Sequence, residues 1–450
     1  DSPQDAIERG IGMIHQHFTL VDPMTVKENI ALGWEPVTYG GARIDDREIT
    51  AAIEELSERY GLALADVVDS PVEALSVGAQ QRVEVVKTLY RGADIFIFDE
   101  PTAVLTPQEV EELFGVFEEL TAQGKTIIFI THKLGEAMTA ADEITVLREG
   151  KNVGTVPADD ITREELAEMM VGREVLLDVD RSPTEPGRTV LDVDDLVVED
   201  DRGVRAVDGL SLAVRQGEVF GIAGVDGNGQ SELIEAITGL RTPDEGRIEV
   251  DDVDRSTDSR RSRIEAGMAY IPEDRQERGL VMEYDLVENG LLGSQHAEEY
   301  ASNGRIDWER TRGHAEEIIE EYDVRPPDAD AEAESLSGGN QQKFVVGREF
   351  ARDPRLVVAS HPTRGVDVGS MEFIHDRLNG LREDGRAVLL VSSNLDEVQS
   401  LSDRLAVIYE GEFVDVVDPD AVTEEQLGLL MAGQEPDEVP SIAAAGEVSR

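Results

Sequence analysis

The sequence predicts an α/β protein built from two related domains in tandem. Three observations carry this. Short apolar runs that read as strands alternate with longer segments of helical spacing. Five landmarks recur at one spacing: Ser76 with Ser337, Thr102 with Thr363, His132 with Ser393, Gly150 with Gly411 and Gly172 with Gly433 stand 261 residues apart. A glycine-rich turn, "GVDGNGQSEL", separates a strand-like run from a helix-like one, the arrangement that aims backbone N–H groups at a phosphate. One offset held through five landmarks is a duplication.

Upstream of these landmarks the offset falls to 257, pairing Gly10 with Gly267 and Gln16 with Glu273. The glycine-rich turn precedes Glu273 by about 40 residues, so its counterpart would fall before Asp1. The first copy is therefore expected to lack its beginning, by about 65 to 70 residues. The expected domains are residues 1–178 and 189–433. Residues 179–188, rich in Pro, Gly and charge, read as a linker, and residues 434–450 as a disordered tail.

Composition narrows the class. A chain of 450 residues with 40 % hydrophobic content fills two or three ordinary domains. It has no apolar run of about 18 residues to span a bilayer, and no cysteine for disulfides or thiolate metal sites. No signal peptide is visible, and the sequence opens on Asp1, not Met. Ninety-six acidic residues face 41 basic ones, a net charge of −55 spread along the chain. Such a surface fits adaptation to high salt, where self-repulsion is screened. It disfavours binding to a nucleic acid backbone, which needs clustered Lys or Arg.

In chain order, the first candidate is the run "IFIFDEPT". Four apolar residues suggest a buried central strand, and Asp99 falls at its C-terminal end, where open α/β sheets place ligands. Asp99 is suited to hold Mg²⁺ through water. Glu100 beside it is suited to polarise an attacking water. "TIIFI" reads as another buried strand, ending at His132 within reach of a terminal phosphate. "LSVGAQQR" and "LSGGNQQK" each open a helix at Ser76 and Ser337, with free N–H groups facing outward. Gly224, Gly227, Asn228 and Gly229 form the phosphate-type turn. Where such turns usually carry Lys this one has Gln230, which supplies no charge, while Ser231 keeps a hydroxyl for Mg²⁺.

This ordered set, over nearly all of residues 1–433, resembles the nucleotide-binding domains of ABC transporters. The resemblance implies two P-loop NTPase domains in tandem. Each would have a RecA-like α/β core, an antiparallel β subdomain and a helical subdomain, the first domain being truncated at its N-terminus. It also implies that the LSGG helix of each domain completes the ATP site of the other. One composite site would then use Gln16 and Asp99 on the Mg²⁺ side, Glu100 as catalytic base and His132 as γ-phosphate sensor. Ser337, Gly338, Gly339 and Gln341 would come from the second domain. The other would use Gly224 to Ser231, Glu273, Ser360, His361 and Ser393 with Ser76 and Gly78. That site has lost the Lys, both carboxylates and the His, so one competent and one degenerate site are expected. Without its own phosphate loop, the chain as it stands is expected to hydrolyse ATP poorly.

The fused tandem, "IPEDRQERGL" and "PTRGVD" are similar to ATPase subunits of sugar- and nucleoside-type importers, and "GIGMIHQHFTLVDPMTVKENIALG" is closer to the nucleoside branch than to the monosaccharide branch. The implied partners are two transmembrane permease subunits, docking near "TVKENI" and "DLVENG", and, indirectly, an extracellular solute-binding lipoprotein. The implied location is the cytoplasmic face of the membrane. The competing class, a soluble ABC ATPase acting on ribosomes or DNA, calls for a basic surface or a long charged linker, and this sequence has neither.

Overall fold

The structure is a computed structural model and describes residues 2–15, 18–38, 43–102, 105, 107–148, 150–173, 181, 182, 184–225 and 227–434. Gln16, most of the expected linker's first half and the expected tail beyond 434 lie outside these residues. The chain divides into two compact units, Asp1–Arg173 and Glu174–Arg450.

The first unit runs β1 (Ile11–Ile14), α1 (Val26–Ala31), α2 (Asp46–Arg59), α3 (Val77–Tyr90), β2 (Ile95–Asp99), α4 (Pro107–Ala122), β3 (Thr126–Ile130) and α5 (Leu134–Ala140). It continues with the hairpin β4 (Glu143–Arg148) and β5 (Lys151–Pro157) and ends in α6 (Arg163–Val171). The strands β1, β2 and β3 form a parallel sheet in that order. Successive side chains of a strand point to opposite faces. Phe96 and Phe98 of β2 are fully buried, and Phe98 packs on Phe117 of α4 with ring centroids 4.7 Å apart. Ile95 and Ile97 on the other face are only half-buried. The expectation that β3 is buried is corrected: Ile128 and Ile130 are 52 % and 50 % exposed. Among the described residues no strand pairs with the outer edge of β3.

The second unit shows what covers the equivalent strand. It begins with β6 (Thr189–Glu199), β7 (Arg205–Arg215), β8 (Glu218–Ala223), α7 (Gln230–Thr238), β9 (Glu245–Val250), α8 (Arg260–Glu265) and β10 (Met268–Ile271). A helical segment follows, α9 (Leu286–Leu291), α10 (Trp308–Glu321) and α11 (Gly338–Phe350). The core is completed by β11 (Leu356–Ser360), α12 (Val368–Glu383), β12 (Ala387–Ser392), α13 (Leu395–Leu401), β13 (Arg404–Tyr409), β14 (Glu412–Val417) and α14 (Glu424–Met431). The main sheet has the order β10–β11–β12–β8–β13–β14, parallel except for β14. β12 lies between β11 and β8 and is buried throughout. The run of apolar residues belongs to a strand sandwiched on both sides, and β3 has only one such neighbour.

An antiparallel sheet of β6, β7, β9 and Val253–Asp254 stands beside the core of the second unit. The expectation of such a subdomain in both halves holds only here among the described residues.

The expected linker is not loose where it is described. Arg181 bonds the Ser402 carbonyl and Asp420, Thr184 Oγ1 donates to Gly217 O at 2.7 Å, and Gly187 N donates to Gln216 O at 2.8 Å. Arg382, 2 % exposed, pairs with Asp403 at 2.6 and 2.8 Å and donates to Ser182 O at 3.0 Å. A buried guanidinium needs its donors filled, and the segment supplies one of the acceptors.

Candidate functional site

In the first unit the parallel register sets Asp99 beside Ile130, which brings the ends of β2 and β3 together. Glu100 N donates to Ile130 O at 2.9 Å. This holds Glu100 at φ +45°, a left-handed conformation that costs a non-glycine residue about 1 kcal/mol or more. Its carboxylate is thereby turned to His132, whose Nδ1 lies 3.0 Å from Glu100 Oε1. The hydrogen bond from His132 holds the Glu100 carboxyl below the usual range, although partial burial acts the other way. The pair is an ionised carboxylate beside an imidazole, about three-quarters buried, at the C-terminal edge of a parallel sheet. Such a pair can accept a proton from water and donate to a phosphate oxygen.

Asp99 stands next to it, half-buried at the strand end. Among the described residues no group of three or more His, Asp or Glu is gathered as a metal cage. A single carboxylate fits a hard cation that keeps its other ligands as water and phosphate, the habit of Mg²⁺.

One residue that sequence reasoning passed over braces these loops. Glu136 accepts from Thr102 Oγ1 at 2.6 Å and from Thr131 Oγ1 at 3.1 Å, and pairs with Lys133 Nζ at 3.0 Å. It therefore ties the residue two beyond Glu100 to the residue just before His132. Its counterpart Glu397, 261 residues on, accepts from Thr363 at 2.7 Å, from Ser392 at 2.6 Å and from His375 at 2.9 Å. The constant offset was the available signal.

The second unit repeats the backbone without the chemistry. His361 holds φ +45° and its N–H donates to Val391 O at 2.7 Å, as Glu100 does to Ile130. Here Ser393 N donates to His361 Nδ1 at 3.3 Å, so the imidazole lone pair is engaged. Ser360, where the first unit has Asp99, is 5 % exposed and carries no charge. Glu273 is joined to Arg364. These residues do not fit a magnesium ion.

The glycine turn of this unit is closed upon itself. Gln230, 6 % exposed, donates from Nε2 to Val225 O at 2.9 Å and accepts from Asn228 N at 3.1 Å. A Cβ on Gly224 would lie 2.5 Å from Gln230 Nε2, so the amide fills the cradle. Asn228 is held in turn by Val225 O at 2.9 Å and Glu410 N at 2.8 Å. Gly227 and Gly229 supply the positive φ of the turn, +91° and +100°, which side chains resist. Ser231 is exposed on the first turn of α7. The Gln230 amide is thus engaged within its own turn. Replacing it with Lys is expected to free Asn228 N–H, add charge, and tighten binding of a non-hydrolysable ATP analogue at this turn by about tenfold. Equilibrium binding measures it; unchanged affinity would mean that Gln230 is not what closes the turn.

The two helix starts differ as well. Ser76 caps α3 by accepting from Ala79 N at 3.3 Å, whereas Ser337 makes no capping bond and only accepts from Asn340 Nδ2 at 2.8 Å. Gly339 is buried, and a Cβ there would meet Ser370 Oγ at 2.5 Å and Asp367 Oδ2 at 2.7 Å. Gly338 faces Arg275 in the same way at 2.4 Å, and Gly78 faces Glu109 at 2.6 Å. Gln341 does not accompany Ser337 at the surface. It is 2 % exposed, donates to Ala333 O at 3.0 Å and accepts from Arg275 and Gln276 at 3.3 Å. Its place on the inner face of α11 removes it from the candidate ligands.

Comparison with known proteins places the chain in a family. The family described as ABC transporter matches residues 2–103 and 207–364. The nucleoside import ATP-binding protein NupA of Lactococcus lactis subsp. cremoris is 48 % identical over 433 residues, 96 % of this chain and 85 % of its own length. The guanosine import ATP-binding protein NupO of Bacillus subtilis is 49 % identical over 433 residues, 96 % and 84 %. A glucose import ATP-binding protein of Haloferax volcanii is 45 % identical over 461 aligned positions, 96 % and 84 %. With two matched segments, relatives of this identity along almost the whole chain, and a Glu–His pair where the first sheet ends, the chain belongs to the ABC transporter family as an ATP-binding protein with tandem ABC domains.

Proposed function

We propose that this protein binds and hydrolyses ATP to drive nucleoside import, with one competent composite ATP site and one degenerate one. The Glu100–His132 pair carries this reading, because its duplicate is His361 with Ser393. In the competent site Glu100 polarises the attacking water, and His132 orients it and contacts the γ-phosphate. Asp99 and Gln16 would hold Mg²⁺, which would offset phosphate charge. Ser337 and the N-terminus of α11 close over the nucleotide from the second domain. The degenerate site, with Gly224 to Ser231, Ser76 and Gly78, holds nucleotide weakly and does not cleave it.

The partners are two permease subunits, with a solute-binding lipoprotein outside, and the protein sits on the cytoplasmic face of the membrane. Among the described residues no helix is long and apolar enough to cross a membrane. Nucleosides are favoured because relatives at 48 % and 49 % identity are named for nucleoside and guanosine import. The glucose importer at 45 % identity supports the second reading, a monosaccharide system. Uptake by cells carrying the complete gene set decides between them. Labelled guanosine accumulation that disappears when this gene is deleted supports the first; glucose accumulation alone supports the second.

A further inference from the structure

Glu100 keeps a left-handed backbone at φ +45°. A strained conformation of that kind persists only where its surroundings over-determine it. Each residue from Glu100 onward supplies a constraint. Glu100 N donates to Ile130 O at 2.9 Å. Pro101 O accepts from Gln81 Nε2 of α3 at 2.9 Å. Thr102 O accepts from Lys133 Nζ at 3.2 Å, and Thr102 Oγ1 donates to Glu136 Oε2 at 2.6 Å. Gln81 and Thr102 are both 2 % exposed, so a partner lost there is not readily replaced by water.

The same carboxylate holds the other loop. Thr131 Oγ1 donates to Glu136 Oε2 at 3.1 Å and accepts from Lys133 N at 3.0 Å. The Thr131 hydroxyl thus clasps the chain on both sides of His132. Lys133 Nζ lies 3.0 Å from Glu136 Oε1. Glu136, on the first turn of α5, therefore takes donors from the segment after Glu100 and from the segment around His132. An ionised carboxylate accepts at both oxygens, and its charge strengthens each bond. An amide in its place would turn an NH₂ group toward a donor.

The second unit shows that the brace and the chemistry are separable. Glu397 accepts from Thr363 and Ser392, and Asn394 N donates to Ser392 Oγ at 3.1 Å. His361 keeps φ +45° there with no carboxylate of its own to aim. The charged partner of the brace differs. Asn394 stands at the position of Lys133, and His375 of α12, which bonds Glu397, stands at that of Phe114. In the first unit the cation comes from the residue next to His132 and also grips Thr102 O. Carboxylate and ammonium there form one bridge between the two loops that carry Glu100 and His132.

We propose that Glu136 is a positioning residue for ATP hydrolysis: through Thr102 and Thr131, and with Lys133, it sets the distance and angle between the Glu100 carboxylate and the His132 imidazole. It touches no reacting atom itself. The proposal rests on the hydrolysis reading above. A base displaced by about 1 Å can lose about a hundredfold in rate, so a bridge that fixes both loops at once bears directly on turnover.

Phosphate release by the full-length gene product with its permease subunits tests it. Glu136→Gln is expected to lower kcat by about tenfold or more, with KM for ATP nearly unchanged. The hydrogen bond from His132 is what holds the Glu100 carboxyl below the usual range. Loosening it raises that pKa, so the acidic limb of the kcat–pH profile is expected to move to higher pH. A merely structural defect would leave that limb in place. The double variant Thr102→Val, Thr131→Val removes the same bonds from the other side. Adding Glu136→Gln to it is expected to cost little beyond the larger of the two losses. Glu397→Gln, the same change in the second unit, is expected to leave kcat per folded chain as it is. Should Glu136→Gln not fold, Thr131→Val alone carries the same two expectations at smaller size; should Glu397→Gln not fold, His375→Phe takes its place. Unchanged kcat, a fall in kcat with an unmoved acidic limb, additive losses, or equal losses from the two Glu→Gln variants would each overturn the positioning role alone. If Glu100→Gln itself leaves turnover intact, the hydrolysis reading falls and takes this proposal with it.

Discussion

Glu100→Gln in the full-length gene product is expected to lower ATP turnover by about a hundredfold or more, while His361→Gln leaves most of it. The two positions share a fold. Both are at φ +45°, and both donate a backbone N–H to the last turns of the neighbouring strand, at 2.9 Å for Glu100 and 2.7 Å for His361. They differ in what the side chain offers. The Glu100 carboxylate is held ionised by the hydrogen bond from His132, and a Gln there keeps the shape while removing the basicity. The His361 Nδ1 is engaged by Ser393 N at 3.3 Å, so its replacement removes no available base. Because the Gln variant preserves packing, KM for ATP is expected to change little while kcat falls, the pattern of an interaction made in the transition state. Steady-state phosphate release in the presence of the permease subunits measures both. Equal losses at the two positions would end the asymmetric reading, and so would two vanadate-trapped ADP molecules per chain.

The parts of this arrangement that local sequence dictates were legible before any coordinates. The duplication offset identified Glu100 and His132 with His361 and Ser393, and strand ends of a parallel sheet meet at one edge whatever covers the sheet. Non-local partners were not legible. "TIIFI" has the composition of a buried strand, yet Ile128 and Ile130 are half-exposed because burial is set by what pairs outside β3. Residues 179–188 read as a linker from their Pro, Gly and charge. Within them Ser182 O accepts from Arg382, about 200 positions away, whose need for an acceptor is invisible in the segment itself. Gln230 was recognised as the missing charge, but its amide folds back on Val225 O and Asn228 N through a choice of rotamer that composition does not record. Gln341 shares a helix start with Ser337, and only the helical period places it inward.

Ser337 provides the second large effect, and it separates catalysis from stability. In an ordinary helix the first serine is needed as a cap, and its loss costs about 1 kcal/mol. Ser76 is such a cap, accepting from Ala79 N at 3.3 Å. Ser337 makes no capping bond and is exposed, so the fold has little need of its hydroxyl. If the N-terminus of α11 closes the competent site, Ser337→Ala is expected to lower turnover by about tenfold, one transition-state hydrogen bond to a charged phosphate oxygen. Ser337→Arg is expected to lower it by about a hundredfold, because a long side chain would stand where the nucleotide docks. Neither change is expected to move the thermal midpoint of the second unit by more than a degree or two. Ser76→Ala should do the reverse, lowering stability by about 1 kcal/mol while leaving most of the turnover. The crossing of the two effects is the informative result, since Ser337 lies in one half of the chain and Glu100 in the other. Turnover that follows Ser76 instead of Ser337 would assign the live site to a single half and remove the shared-site arrangement.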